Sequence, residues 1–455
     1  MNKLVESMMT KDTFTANGAI TNSTSLNKCL DFFSVCGTHK DFSAAFFAAF
    51  AEDPNLAMRI LFWSRDCRGG AGARKTFGLV MGDIQKRKPH LFSKVFKFIP
   101  EYGYWKDIFN LAPSQDVVDF VSGTLLADED HSLCAKYCPR KGVWVAKLRA
   151  KLHMTVGDFR RFIVSKTKVV EQLMCAKRWE SIDYSKVPSI AGLRYSETFR
   201  AHDKERYEGY LQDVLKGNAK VNSSVLYPHD IYEKFIDTHD KLATDALWKG
   251  LPDFMAESEE RILPVCDVSG SMMGRPMSVS VGLGCYLSEK NKGCFKDAFI
   301  TFSARPRMNY LEGSISDRFI QLTNADWGGN TDLAAVFDLI LFTAVKNHLS
   351  ESDMPTKILI ISDMQFDIAA SNRCTNFEYI KNSYESIGYR MPGIIFWNVN
   401  GSAGNVPATM RDLNVGLVSG YSPSIMESIF KCEVLTPMEL MLTTVNSERY
   451  QQIRV

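Results

Sequence analysis

The 455-residue chain has no apolar run able to cross a bilayer; the longest, Ala44 to Ala51, falls far short of the roughly 20 residues a membrane helix needs. Its first residues, MNKLVESMMTKDTF, lack the apolar core of a secretory leader. Eleven cysteines are scattered without one Cys-x-x-Cys pair, so the usual zinc and redox spacings are missing, and Cys266 and Cys285 read as buried reduced thiols. These absences set the expectation of a reducing, cytoplasmic compartment and no membrane partner. Catalytic signatures are missing too: no Gly-x-Ser-x-Gly elbow, no His-Glu-x-x-His, and no Gly-x-Gly-x-x-Gly behind a strand. Ala73, Arg74, Lys75 and Thr76 stand where a phosphate-binding Walker loop requires Gly-Lys-Ser/Thr. Only eight histidines are present, none in a nucleophile motif. The expectation is a protein that is not an enzyme.

What is present is ordinary in bulk and uneven in detail. Hydrophobic residues make up 45% and charged residues 23%, as in soluble globular proteins, and the length suits two or three domains. Net charge is only +2, yet residues 1–250 carry 37 Lys and Arg against 29 Asp and Glu, and residues 51–200 alone reach +10. Such asymmetry points to an anionic partner for the first half or to attraction between the two halves.

The hydrophobic period changes near residue 251. Residues 1–25 are rich in Asn, Thr and Ser and read as a polar arm. From 26 to 251 apolar residues recur at three and four, as in FSAAFFAAFAED and FRRFIVSKTKVVEQLM, which predicts short helices stacked as a solenoid, HEAT-like, or as a bundle, without a clean sequence repeat. From 252 to 455, runs such as ILPVCD, DAFITFS, KILIISD, GIIFWNV and VGLVSG alternate with helical segments, predicting a mostly parallel, Rossmann-like sheet. The expected class is therefore α plus α/β.

The sharpest chemistry lies where those strands end. Ile262 to Met272 read ILPVCDVSGSM, so an apolar strand releases Asp267, Ser269 and Ser271 around one point. Thr331 sits in WGGNTDL, and Asp363 ends KILIISD. Ligands gather at the carboxyl ends of parallel strands. Five oxygen donors there suit Mg2+, which takes few carboxylates and keeps several waters, or another divalent cation such as Mn2+ or Ca2+. A plain strand-to-helix turn with Asp or Ser as N-cap is the simpler alternative. Asp367 lies near enough to form a two-ion hydrolytic site with Asp363, although a turn or cap is its stronger reading.

The set Asp267-x-Ser269-x-Ser271, Thr331 and Asp363 resembles the metal-ion-dependent adhesion site of von Willebrand factor A domains. That resemblance implies that Ser269, Ser271 and Thr331 reach the metal directly or through water. It implies that Asp267 and Asp363 hold coordinating waters or bind directly, and that one position stays open for a partner's carboxylate. The wider chain, through RDCRGGAGARKTF (65–77), IPEYGYWKDIF (99–109), CAKYCPRKG (134–142) and residues 179–211, resembles an uncharacterised family of plants, fungi, bacteria and large DNA viruses that pairs a helical domain with an A domain. Its domain order and the RD-x-x-GG-x-G-x-R-like stretch are similar to the Ro autoantigen (TROVE) proteins. That kinship implies a ring-closing helical domain and binding of single-stranded ends of small or misfolded RNA; no individual Ro contact residue carries over.

Read for themselves, four basic clusters suit phosphate contacts: Arg65, Arg68, Arg74 and Lys75; Lys136, Arg140 and Lys141; Arg160, Arg161, Lys166 and Lys168; and Lys177, Arg178, Arg194 and Arg200 with His202. Tyr102, Tyr104 and Trp105 are candidates for stacking on bases. Each has a plainer role available: a solvated helix face, a packed aromatic, or, for Gly69, Gly70 and Gly72, a helix cap. Two functions are thus expected: single-stranded or small structured RNA as partner of the helical half, or a protein carboxylate as partner of the metal.

Overall fold

A computed structural model describes residues 13–38, 42–127, 132–223, 225–302, 305–325, 330–368, 374–401 and 403–455. It is an α+β molecule with a helical first half and a six-stranded mixed sheet in the second. The helices run from Lys28–Phe33 to Lys241–Lys249, and their boundaries follow local chemistry. Asp53 caps Pro54–Arg65 by accepting from the Leu56 N–H, with proline at the first turn. Thr155 caps Val156–Lys166 in the same way, and Gly217 closes Lys204–Lys216 in the left-handed conformation.

The strands are β1 (Thr13–Phe14), β2 (Ile20–Thr21), β3 (Ile262–Cys266), β4 (Ala298–Thr301), β5 (Met308–Tyr310), β6 (Lys357–Ser362), β7 (Gly393–Asn398) and β8 (Val415–Ser419). β1 and β2 form a small hairpin, so residues 13–21 fold back rather than trail as an extended arm. The large sheet has the order β5-β4-β3-β6-β7-β8, parallel except for β5. β3 and β7 are buried along their whole length, as expected of strands covered on both faces. Helices Arg275–Lys290 and Asn376–Ile387 follow β3 and β6, and these two together with Leu333–Lys346 and Pro437–Val445 shield the sheet. No described helix is long and apolar enough to cross a membrane.

One hydrophobic core joins the halves: Phe33, Trp63 and Tyr102 share it with Tyr286, Trp397 and Tyr450. A second core lies on the other face of the sheet, around Phe337, Ile360 and Phe396. A third, around Tyr184, Phe199 and Tyr207, belongs to the helical half alone. The first and last stretches of that half meet. The Tyr227 hydroxyl donates to the Cys67 carbonyl at 2.9 Å, and its ring lies against Gly72, whose φ of +75° and lack of a Cβ make room for it.

Helix Pro228–Thr238 packs on Arg275–Lys290 so closely that a Cβ on Gly282 would lie 2.7 Å from the His229 nitrogen. Asp230 caps the first of these helices through the Tyr227 N–H at 3.2 Å. Burial pushes its carboxyl up from 3.8 to about 6, opposed by the Tyr227 N–H and by Arg275. The folded value lies above the unfolded one, so this group favours folding most when protonated and that contribution is lost as pH rises from 3.8 through about 6. Its side chain is 20% exposed, which reduces the size of the effect. Asp230→Asn, which keeps the cap acceptor, is expected to flatten urea stability between pH 4 and 6 and to stabilise the chain at pH 7 by about 1 kcal/mol. Unchanged pH dependence would refute the assignment.

Candidate metal centre

Numbered within the large sheet alone, the strand order is 3-2-1-4-5-6, so the chain reverses direction across the sheet between β3 and β6. Ligands of open α/β sheets bind outside the strand ends at this switch point. β3 and β6 pair with Cys266 opposite Ile361, and the next residues out are Asp267 on one strand and Ser362 and Asp363 on the other. The Asp267 N–H extends the ladder by one bond to the Ile361 carbonyl at 3.0 Å.

Asp267 is fully buried. Its Oδ1 accepts from the Ser269 N–H at 2.9 Å and its Oδ2 from the Ser362 hydroxyl at 2.7 Å. Burial raises its carboxyl above the ordinary aspartate value, the hydroxyl and N–H donors pull it back, and the charge of Asp363 raises it again. The Ser269 and Ser271 hydroxyls lie 3.1 Å apart. Asp363 is 4% exposed and accepts from the Gln365 N–H at 3.2 Å. Between them, Met364 adopts φ +66°, unusual for a side-chain-bearing residue, with its N–H on the Ser362 hydroxyl and its carbonyl accepting from Asn405. Thr331, buried to 2% exposure, is tied to the same loop from both sides. Its N–H donates to Asp367 Oδ2 and its carbonyl accepts from the Asp367 N–H, each at 3.0 Å.

The five predicted donors thus sit on one end of the sheet: Asp267 beside Asp363, the two serines on the turn after Asp267, and Thr331 bound to the loop that follows Asp363. Gly328 and Gly329, which precede Thr331, lie outside the described residues. Ser362 and Gln365 are the supporting residues that sequence spacing passes over; Asp367, read from the sequence as a turn or cap residue or a partner of Asp363 in a two-ion site, holds Thr331 through two hydrogen bonds. The only sequence signal for Ser362 is its position just before Asp363 at the end of a buried strand.

The donor chemistry suits a hard cation. Two nearly buried carboxylates lie close together, and among the described residues neither is ion-paired to Lys or Arg. Such a pair is costly unless a positive charge joins it. The remaining donors are three hydroxyls; among the described residues no group of three or more His, Cys, Asp and Glu is placed to hold a metal ion. The set grades from buried Asp267 to exposed Ser271, and Met273 beyond it is 82% exposed, so one side of the site faces solvent.

The matches to known families divide in the same place as the fold. Residues 261–453 match a family described as "Domain of unknown function (DUF7788)". Residues 15–114 and 144–253 match a second, "Domain of unknown function (DUF2828)". The chain is similar to "Uncharacterized protein L728" of Acanthamoeba polyphaga mimivirus, 28% identical over 498 aligned positions that cover 94% of this chain and 86% of the relative. The first match begins one residue before β3, so it contains the whole large sheet and all five donors.

The basic residues fare unevenly. Arg65 is 1% exposed and grips Asp107 through Nε and NH2 at 2.8 and 2.6 Å, so it is out of reach of a phosphate. Arg74 pairs with the same carboxylate at 3.0 Å, and Arg68 donates to the Glu101 carbonyl at 2.8 Å. Tyr102 is wholly buried against Tyr450, and Trp105 stacks on Phe120, so these two are packing residues. Tyr104 lies beneath the Arg65 guanidinium. Lys136 pairs with Glu171, Arg161 with Asp158, and Arg200 with Glu208 and Asp240. Arg140 and Lys166 donate to the Ala135 and Ala127 carbonyls. His202 stacks on Trp179 with 4.5 Å between ring centres. Lys75, Lys141, Arg160, Lys168, Lys177, Arg178 and Arg194 are exposed and make no side-chain ion pair with a described residue. All of these but Lys75 fall in residues 131–200, which hold 15 Lys and Arg against five Asp and Glu, a net +10.

Proposed function

We propose that this chain is a non-catalytic binding protein whose second half is a von Willebrand A domain that grips a partner's carboxylate through a divalent cation. The observation that supports this reading is the position of Asp267 and Asp363 at the switch point of a 3-2-1-4-5-6 sheet, with Ser269, Ser271 and Thr331 gathered beside them. A bound Mg2+ or Mn2+ would supply an electrophilic centre with a position left for an incoming oxygen. The chain's own residues do the rest. Asp267 and Asp363 offset the positive charge, the Ser362 hydroxyl and Ser269 N–H orient Asp267, and Asp367 holds Thr331 in place. Calorimetric titration of the full chain with Mg2+ and with Mn2+ is expected to show one site. Absence of heat or of a chelator-reversible melting shift with either ion would remove the reading.

A second reading, an RNA-binding ring of the Ro type, draws on two observations: the +10 stretch at residues 131–200 and the meeting of Cys67 with Tyr227 where the helical half returns to its start. The exposed set Arg160, Lys168, Lys177 and Arg194 is where single-stranded RNA would dock. Reversing those four charges is expected to weaken binding of an RNA with a free 3′ end by more than about tenfold and to lower the slope of log affinity against log salt by about 3, at roughly 0.7 per phosphate contact. Equal binding by the variant would exclude this surface.

A further inference from the structure

The hairpin at the start of the chain is docked against the loop that carries Asp363. Its turn, Thr15 to Gly18, is closed internally: Thr15 N–H donates to the Ala19 carbonyl at 2.8 Å, and the Ala19 N–H donates to the Thr15 hydroxyl at 3.0 Å. Gly18 supplies the φ of +87° the turn requires. From this turn three hydrogen bonds cross to residues some 350 positions away. The Thr15 hydroxyl donates to the Phe366 carbonyl at 2.7 Å, the Ala16 N–H to Gln365 Oε1 at 2.6 Å, and the Asn17 amide to the Gln365 carbonyl at 2.7 Å. Gly18 bridges Asp367, and a Cβ on it would meet Ile368 at 3.3 Å. Beyond the hairpin, Thr21 and Asn22 fasten to the Val406 carbonyl, and the neighbouring Asn405 donates to the Met364 carbonyl. The loop from Asp363 to Ile368 is therefore held between the hairpin and the Asn405 segment.

Asp367 links this contact to the candidate centre, because it also makes both hydrogen bonds that hold Thr331. We infer that the hairpin is a positioning strap for the cation site: it fixes Gln365 to Asp367, which fixes Thr331 relative to Asp363. This rests on the metal reading above. Linkage then makes the coupling reciprocal: the strap raises affinity for the ion, and the ion holds the strap closed.

The test titrates Mg2+ into the full chain by calorimetry, comparing the parent with the double variant Thr15→Val, Asn17→Ala and with Thr15→Ser, which keeps the hydroxyl. Each is checked for folding by circular dichroism at the titration temperature. The double variant is expected to bind Mg2+ about tenfold more weakly, within the roughly 5- to 150-fold span of measured couplings, and Thr15→Ser to stay within about twofold of the parent. Amide exchange at Ala16 and Gly18 in the parent should slow when Mg2+ is added. Parental affinity in the double variant together with unchanged exchange overturns the strap while leaving the metal site standing. A parent chain that takes up neither Mg2+ nor Mn2+ overturns both.

Discussion

Asp267→Asn is expected to abolish measurable Mg2+ binding, a loss exceeding about 100-fold, since even residues that only orient metal ligands typically account for 10- to 100-fold. The substitution preserves shape. An asparagine oxygen still accepts from the Ser269 N–H, and the Ser362 hydroxyl, donor or acceptor as needed, turns to face the amide. What disappears is one negative charge of a buried pair. The same change should therefore leave the melting temperature in chelator equal to the parent's or above it, because the ionised Asp267 carboxylate is disfavoured by burial and by Asp363. Calorimetry and thermal melts with and without chelator separate the two effects. A variant that binds Mg2+ as the parent does would show that Asp267 is merely a turn residue. A variant that loses binding and also melts many degrees lower in chelator would show that the carboxylate serves the fold instead.

Four of the five candidate donors, Asp267, Ser269, Ser271 and Asp363, are legible because they follow apolar strands; Thr331 lies between helices Ile315–Thr323 and Leu333–Lys346, with no strand before it. β3, β6 and β7 are buried on both faces, so they read as unbroken apolar runs with visible ends, and Asp267 and Asp363 stand at those ends. β5 escaped notice because it is three residues long and exposed in part, with no apolar run to mark it. Helix Ile315–Thr323 carries a sequence signal of its own, since Ser314 and Asp317 form a capping box at its start. The RDCRGGAGAR stretch was read for phosphate chemistry because its neighbours in space cannot be inferred from its spacing. Arg65 meets Asp107, 42 positions on, Gly70 makes room for the Trp63 carbonyl, and Ala71 accepts from the Tyr421 N–H of the second half. Arg65, Arg68 and Arg74 are thus engaged within the fold, while Lys75 stays exposed.

The adjoining Asp66 shows what that stretch does, and its removal is expected to be strongly destabilising. Asp66 is fully buried. Its carboxylate receives the Arg449 guanidinium, including NH2 at 2.9 Å, the Tyr450 hydroxyl at 2.9 Å, and the Arg68 and Gly69 N–H groups at 3.0 and 3.3 Å. Arg449 in turn lies over the Tyr102 ring, and its carbonyl accepts from the Tyr102 hydroxyl at 2.6 Å. One carboxylate thus fastens the helix Pro54–Arg65 of the first half to the last turn of the second. Asp66→Ala takes the acceptor from the Arg68 and Gly69 N–H groups and from Arg449 and leaves the Tyr450 hydroxyl only the Gly69 carbonyl at 3.2 Å, a loss of about 3–5 kcal/mol at about 1–3 kcal/mol for each buried donor left unsatisfied. Arg449→Ala should cost less, about 1–2 kcal/mol, because that side chain is 35% exposed and Asp66 keeps its hydroxyl and two N–H partners. Urea unfolding monitored by tryptophan fluorescence decides between the two. If Asp66→Ala shifts stability by less than Arg449→Ala, the carboxylate is not the centre of this junction.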